Sequence, residues 1–343
     1  MDFRFDENEC ALLADARAIL ARALPVARLR EGGDPVAAWR SLGENDWLHG
    51  GLSEDVGGAE LALALQAGAA REAGALLAVD EWLNNAFVLP ELLARARDAD
   101  VRAEALAHHR SQAGFLLGDG RGCEWLGGSS GDSARWCFGV ADGFDVYRVE
   151  GEDGDAVLVR RVGSGLQLAR VADLSLGVGV VTVSGGTSTR IALSLDPVDA
   201  AVLEQRARTI HAAALVGLAD EALRQAVEYA KVRVQYGKPI GQFQALKHLL
   251  ADVRVANEIA WNAVLYASLT SDDDPRSVPA ARMQAVSAAL GAVRAMVQVF
   301  GGMGFTWESD VHFFLKTALN GSVRFGPVEE DALRLGELVL AGV

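Results

Sequence analysis

One uninterrupted helical pattern constrains this chain more than any other feature. Residues 200–234 contain no proline, and Leu215, Leu218, Ala222, Ala226 and Tyr229 fall near helical spacing. At 1.5 Å per residue such a helix spans roughly 50 Å. A rod of that length needs neighbours to bury its apolar face, and the sequence supplies them. Residues 243–269 and 278–300 repeat the helical period, and 308–319 and 328–340 follow. Pro239 and Gly241 part the first rod from the second, Asp272-Asp273-Asp274-Pro275 ends the second, and Gly301-Gly302 stops the third. Residues 198–343 are therefore expected to be helical.

Upstream the period changes twice. Residues 1–112 read as helices, opening with Asp6, Glu7 and Glu9 ahead of Leu12, Leu13, Ala16, Ile19 and Leu20. Acids in a first turn suit the helix dipole. A second helix ends near Trp39 and Leu42, a loop marked by Gly43, Gly50, Gly51, Gly57 and Gly58 follows, and helices are expected over 60–78 and 88–107. From about Gly114 short β-type runs appear: Phe115-Leu116-Leu117, Ala156-Val157-Leu158-Val159, Leu166-Gln167-Leu168 and residues 178–183. Glycine-rich turns separate them, so residues 113–197 read as a small antiparallel β domain. The expected fold class is mainly α with a small β domain, in the order α, β, α.

Composition excludes several function classes. Of 343 residues 50% are apolar and 23% charged, the balance of an ordinary globular protein. A formal charge of −14 repels phosphate backbones, which argues against nucleic acid as a partner. Cys10, Cys123 and Cys137 lack metal-like spacing, so reduced, mostly buried thiols and no metal site are expected. The N-terminal residues have neither the basic start nor the apolar core of a signal peptide. No apolar run reaches the ~18 residues of a membrane span, and a cytoplasmic protein without membrane contact is the expectation.

Two segments carry chemistry. In Arg233-Val234-Gln235-Tyr236-Gly237-Lys238-Pro239-Ile240-Gly241-Gln242-Phe243-Gln244 a guanidinium stands where a helix ends, and such a group can fork onto an anion. The amides of Gln244 and Gln298 can donate and accept hydrogen bonds. In Gln298-Val299-Phe300-Gly301-Gly302-Met303-Gly304-Phe305, Gly301 and Gly302 allow a ligand close to the backbone. Taken singly, each segment also reads as a glycine-capped helix end.

Together and in this order, the two segments closely resemble signatures of the acyl-CoA dehydrogenase family, R-x-x-[FY]-G-x-x-[IL]-x-x-[FHL]-Q and Q-x-x-G-G-x-G-[FY]. Asn45-Asp46-Trp47-Leu48 followed by Asp55-Val56-Gly57-Gly58 looks like that family's N-terminal domain. The resemblance implies the acyl-CoA dehydrogenase fold: an N-terminal helical domain over 1–112, a middle antiparallel β domain over 113–197 and a C-terminal four-helix bundle over 198–343. It implies FAD as cofactor, with Arg233, Tyr236, Ile240, Gln244, Gln298, Gly301 and Gly302 as its binding residues. It also implies a reaction, desaturation of an acyl-CoA thioester between Cα and Cβ. There a carboxylate in a dry pocket takes the α-proton, the β-hydride passes to the flavin, and an electron-transfer flavoprotein reoxidises it.

The sequence departs from the family where the base belongs. Phe325, in Val323-Arg324-Phe325-Gly326-Pro327, occupies one of the two positions that resemblance assigns to the carboxylate, and Ala207 occupies the other. Neither accepts a proton, so the catalytic residue is not identified. Glu204, Glu329 and Glu330 are substitutes whose ordinary reading is an acid in a first turn or on a wet face. His211 reads as a core histidine and His108-His109 as surface. The family's ring-covering segments are not recognisable in residues 115–128. Trp125 and Trp136 could stack on a flavin, although buried packing is the commoner fate.

What survives is, by the resemblance, the group that reaches across a dimer interface to hold the ADP half of a neighbour's FAD. What is missing belongs to a subunit's own active site. The chain thus looks like the accessory subunit of a heteromeric (α2β2) acyl-CoA dehydrogenase with a paralogous partner. The alternatives are a self-sufficient homo-oligomer with an atypical base such as Glu204, and a non-catalytic relative.

Overall fold

The computed structural model describes residues 5–31, 35–112, 114–116, 135–138, 145–152, 155–162, 166–173, 178–183 and 187–342. Helix α1 (Glu7–Ala23) starts on a reciprocal cap: the Asp6 carboxylate accepts the Glu9 amide while the Glu9 side chain accepts the Asp6 amide. Helices α2 (Arg28–Glu31), α3 (Pro35–Glu44) and α4 (Leu63–Ala75) follow. Cys10 is exposed, against the expectation of buried thiols; Cys123 lies outside the described residues.

The helix expected over 88–107 is two helices. One stretch runs from α5 (Val79–Trp82) through a π-helical turn (Leu83–Val88) into α6 (Leu89–Ala94), and α7 (Ala99–Ser111) restarts from Asp98, whose carboxylate caps two amides. The break has a cause in the sheet. Ala96 bridges Leu193, the Arg97 amide donates to the Ala192 carbonyl, and the Ser194 amide donates to the Arg95 carbonyl. Backbone groups that would continue the helix are taken by a strand edge instead.

That strand is the last of those described in the middle region: β1 (Gly114–Leu116), β2 (Arg135–Phe138), β3 (Asp145–Glu152), β4 (Asp155–Val162), β5 (Leu166–Asp173), β6 (Val178–Val183) and β7 (Thr187–Leu193). They form two sheets, ordered β1-β3-β4-β7 and β2-β6-β5. Every pairing is antiparallel except β1 with β3, which is parallel.

The longest helix, α8 (Pro197–Val232), begins three residues before the apolar pattern does. Asp196 accepts the amides of Val198 and Asp199, and Pro197 stands in the first turn where its missing N–H is not needed. Then come α9 (Gln244–Thr270), α10 (Ser277–Phe300), α11 (Val311–Val323) and α12 (Val328–Leu340). Residues 209–219 of α8 are buried without exception. By length and composition alone Ser277–Phe305 could cross a membrane. Here it is the centre of the bundle, with Arg282 fully buried in it and ion-paired to Asp331 of α12.

Candidate functional site

Helices α8, α9 and α10 run up, down and up, so the end of α8, the start of α9 and the end of α10 meet at one end of the bundle. Arg206 near the start of α8 pairs with Asp272 past the end of α9 at 3.2 Å. Tyr229 near the end of α8 stacks on Phe300 at the end of α10, ring centroids 4.2 Å apart. Arg233 caps α8, its amide donating to the Tyr229 carbonyl and its carbonyl accepting the Ile240 amide at 2.8 Å. Between them Val234–Gln235 (β8) and Lys238–Pro239 (β9) form a tight hairpin whose turn, Tyr236-Gly237, has φ of 54° and 76°. Both central residues are left-handed, as the twist of a two-residue hairpin requires. Lys238 lies over the Phe243 ring, Nζ 4.4 Å from its centroid.

All seven sequence-predicted cofactor residues are thereby placed at this end. Arg233, Tyr236, Gln244, Gln298, Gly301 and Gly302 are exposed and Ile240 is half-buried. Among the described residues the Arg233 guanidinium has no hydrogen-bond or ion-pair partner. Gly301 has φ 60°, so its own backbone calls for glycine; Gly302 does not have a positive φ, and a Cβ there would meet nothing within 4 Å. Among the described residues nothing requires a glycine at Gly302. That bare backbone leaves room for a group approaching it closely. A free guanidinium, two exposed side-chain amides and an uncovered glycine backbone fit a pyrophosphate-bearing cofactor such as FAD. The turn beyond leaves Phe305 and Trp307 exposed by 76% and 68%.

The positions expected to carry a base are sealed. Phe325 is 1% exposed and Ala207 0%. The Phe325 ring is met edge-on by His211 at 5.3 Å, and the guanidinium carbons of Arg208 and Arg324 stand 5.4 and 5.2 Å from its centroid. A carboxylate network locks these cations. Arg324 pairs with Asp80 of α5 at 3.2 Å, Arg208 with Asp331 at 3.2 Å and with Glu204 at 2.8 Å. Arg282 pairs with Asp331 and donates to the Gly326 carbonyl at 2.5 Å. Burial raises the Asp80 carboxyl to about 6 despite Arg324. It also raises Asp331, against the pull of Arg282 and Arg208.

Glu204 is thus committed to Arg208, and Glu329 and Glu330 are exposed in the first turn of α12. His211 is fully buried with neither ring nitrogen hydrogen-bonded. Burial first, then Arg324, Arg282 and Arg208, hold it well below the usual histidine range, so it stays neutral. The reading of His108-His109 as surface is corrected. His109 is 0% exposed and stacks on His49, while His108 bonds Asp145 at 2.8 Å. The ring-covering segment and Trp125 lie outside the described residues, and only the backbone of Trp136 is described. Sequence reasoning missed the paired charges; the signal available was a single arginine or aspartate inside an apolar run, as in Ala280-Ala281-Arg282-Met283 and Ala78-Val79-Asp80.

Comparison with known proteins extends these findings. Residues 203–334 match the family model for the acyl-CoA dehydrogenase C-terminal domain. Acyl-CoA dehydrogenase IpdE2 of Mycobacterium tuberculosis is 40% identical over 123 residues, covering 36% of this chain and 38% of that protein. The match therefore spans well under half the length of that curated relative. Two solved structures share the fold over almost the whole chain. A variant of the Tcur3481-Tcur3483 steroid ACAD gives a TM-score of 0.76 at 22% identity, covering 98% of each chain. The ChsE4-ChsE5 complex from Mycobacterium tuberculosis gives 0.77 at 21%, covering 99% of each.

Proposed function

We propose that this chain, whose residues 203–334 match the acyl-CoA dehydrogenase C-terminal domain, is a member of that family and serves the FAD-linked α,β-dehydrogenation of an acyl-CoA thioester as an accessory subunit. In this role it lends the ADP half of FAD its bundle end, and a paralogous partner provides the base. One observation carries the reading: both base positions are apolar and sealed, Phe325 by a cage of His211, Arg208 and Arg324, while the Arg233–Gly302 end lies open. When bound, FAD would supply the hydride acceptor. This chain's own residues would hold and orient it, Arg233 forking onto the pyrophosphate and Gln244 and Gln298 bonding its polar edges. The likeness to two-component complexes, one of them a steroid ACAD, supports a heteromer; a steroid-type acyl group and reoxidation by an electron-transfer flavoprotein belong to the same proposal.

Flavin absorbance per mole of chain tests this, measured for the isolated chain and for the chain co-expressed with a glutamate-bearing paralogue. The isolated chain should be almost free of flavin and of activity, since losing a positioned base costs ~10²–10⁴ in rate. The mixture should hold about one FAD per heterodimer, bleached by acyl-CoA. Full flavin occupancy and turnover by the isolated chain would overturn the accessory role and make Glu204 the next residue to replace.

A further inference from the structure

Helix α10 meets solvent along one line. Its exposed residues are Gln284, Ser287, Gly291, Arg294 and Gln298, and the steps between them are three, four, three and four. Such steps keep all five on one face of a helix. Every other residue of α10 is buried or half-buried. No apolar side chain stands on the open line, which sets it apart from a surface built to bury an apolar partner. The line continues into Gly301 and Gly302 at the open end of the bundle.

Arg294 is the charged residue of this line and stands one turn before Gln298. Among the described residues its guanidinium has neither an ion-pair nor a hydrogen-bond partner. Other cations of the bundle are committed: Arg208, Arg224, Lys231, Arg254 and Arg282 each hold a carboxylate. An exposed guanidinium that has taken no carboxylate, in a chain of net charge −14, remains available to an external anion or aromatic face. The turn before it is bare. A Cβ at Gly291 would meet nothing within 4 Å, so the Arg294 side chain does not lie across that turn. Helical side chains lean toward the N-terminus, which sets the guanidinium at the rim of a space floored by Gly291.

A planar guanidinium beside a bare floor suits a flat aromatic ring, on which it can stack. Ten residues separate Gly291 from Gly301, roughly 15 Å of helix. A pyrophosphate held at the Gly301 end would leave the adenosine attached to it room to extend along this face. We propose that Arg294 is a further cofactor-binding residue, whose guanidinium stacks on the adenine of the dinucleotide that the Arg233 end holds by its pyrophosphate. The inference rests on the reading of that end as the seat for the ADP half of FAD. It adds the direction in which the adenosine runs, along α10 toward Gly291.

The test titrates the complex with a glutamate-bearing paralogue, stripped of flavin, with FAD and with FMN, which keeps one phosphate and lacks the adenosine. Flavin fluorescence reads each dissociation constant, and light scattering reads whether the complex stays assembled. Arg294→Ala should weaken FAD roughly five- to thirtyfold, the span of a cation–π contact from exposed to desolvated settings, and leave FMN and the assembly unchanged. Arg294→Lys should recover only part of the loss, since an ammonium has no planar face to stack. Unaltered FAD affinity in Arg294→Ala, or equal weakening of FAD and FMN, would overturn the proposal. So would a complex that falls apart, because Arg294 would then be a contact to the partner chain. Arg233→Ala, run alongside, should weaken both flavins. If it does so while Arg294→Ala changes nothing, Arg294 alone leaves the site; if neither variant has an effect, the cofactor reading of the whole end falls with it.

Discussion

Arg110 sets the protons on two buried imidazoles. Its Nε donates to His49 Nδ1 at 3.1 Å, so His49 carries its proton on Nε2, which faces His109 Nδ1 at 3.2 Å; the His109 proton is then on Nε2. Burial and the Arg110 cation push His49 down to about 4, and burial with the neighbouring histidines pushes His109 down to about 3. An unfolded chain takes up these protons near pH 6.5. The pair's contribution is therefore complete above pH 6.5 and is lost as pH falls toward 4 and 3, on the order of 2 kcal/mol for each ring by pH 5. Asp80 and Glu81 work the other way: burial raises them to about 6 and 7, so their protonation favours the folded chain on acidification. A His49→Gln/His109→Gln chain keeps the acids and drops the rings. Urea midpoints measured from pH 7.5 to 5 should fall more steeply for the unaltered chain than for this variant. Parallel curves would mean that the rings titrate normally in the fold. That residues 233–244 gather at one end of the bundle was legible because their spacing is local. The histidine pair was not, since His49 and His109 are 60 residues apart and only the fold stacks them.

At the scale of elements, α4 and α8 cross backbone to backbone through two glycines. A Cβ at Gly217 would sit 1.7 Å from the Arg71 carbonyl oxygen, and one at Gly74 would sit 1.8 Å from that of Ala214. Each helix has its glycine where the other's backbone passes, and Arg71 closes the crossing with an ion pair to Asp220. Gly217→Ala should therefore force the helices apart and cost about 1–3 kcal/mol, as overpacking a tight core does. Gly291 of α10 is exposed with nothing within 4 Å of a Cβ, so Gly291→Ala should stabilise by about 0.5–1 kcal/mol through helix propensity. Thermal unfolding of the two variants checks the contrast, and equal shifts would count against so close a crossing. The bundle helices were legible in the sequence because breakers such as Pro239, Gly301 and Asp272–Pro275 separate strongly periodic runs. Strand β7 was not: Thr187–Arg190 are exposed and only Ile191 and Leu193 point inward, too short an alternation to stand out. The split between α6 and α7 was hidden too, because the partner that breaks the helix is Leu193, nearly a hundred residues away.

On the scale of the whole molecule, a closed interior and an open end make different demands on the same residue type. Gly217 is fixed by the chain's own packing, whereas Gly302 has neither a positive φ nor a neighbour that a Cβ would touch. Its replacement should leave the chain's own unfolding transition where it is. In the assembled complex it should do harm, because a side chain at Gly302 would stand where the proposed cofactor approaches the backbone. Gly302→Val and Arg233→Ala are therefore expected to release FAD from the complex at lower dilution while circular dichroism and melting temperature of the isolated variant chains stay unchanged. Arg233→Lys should restore retention only in part, because an ammonium keeps the charge and lacks the bidentate fork. Flavin fluorescence on serial dilution reads the release directly. Unaltered retention in both Gly302→Val and Arg233→Ala would remove this end of the bundle from the cofactor site. Loss of retention together with a lowered melting temperature of the chain alone would instead assign the two residues to the fold.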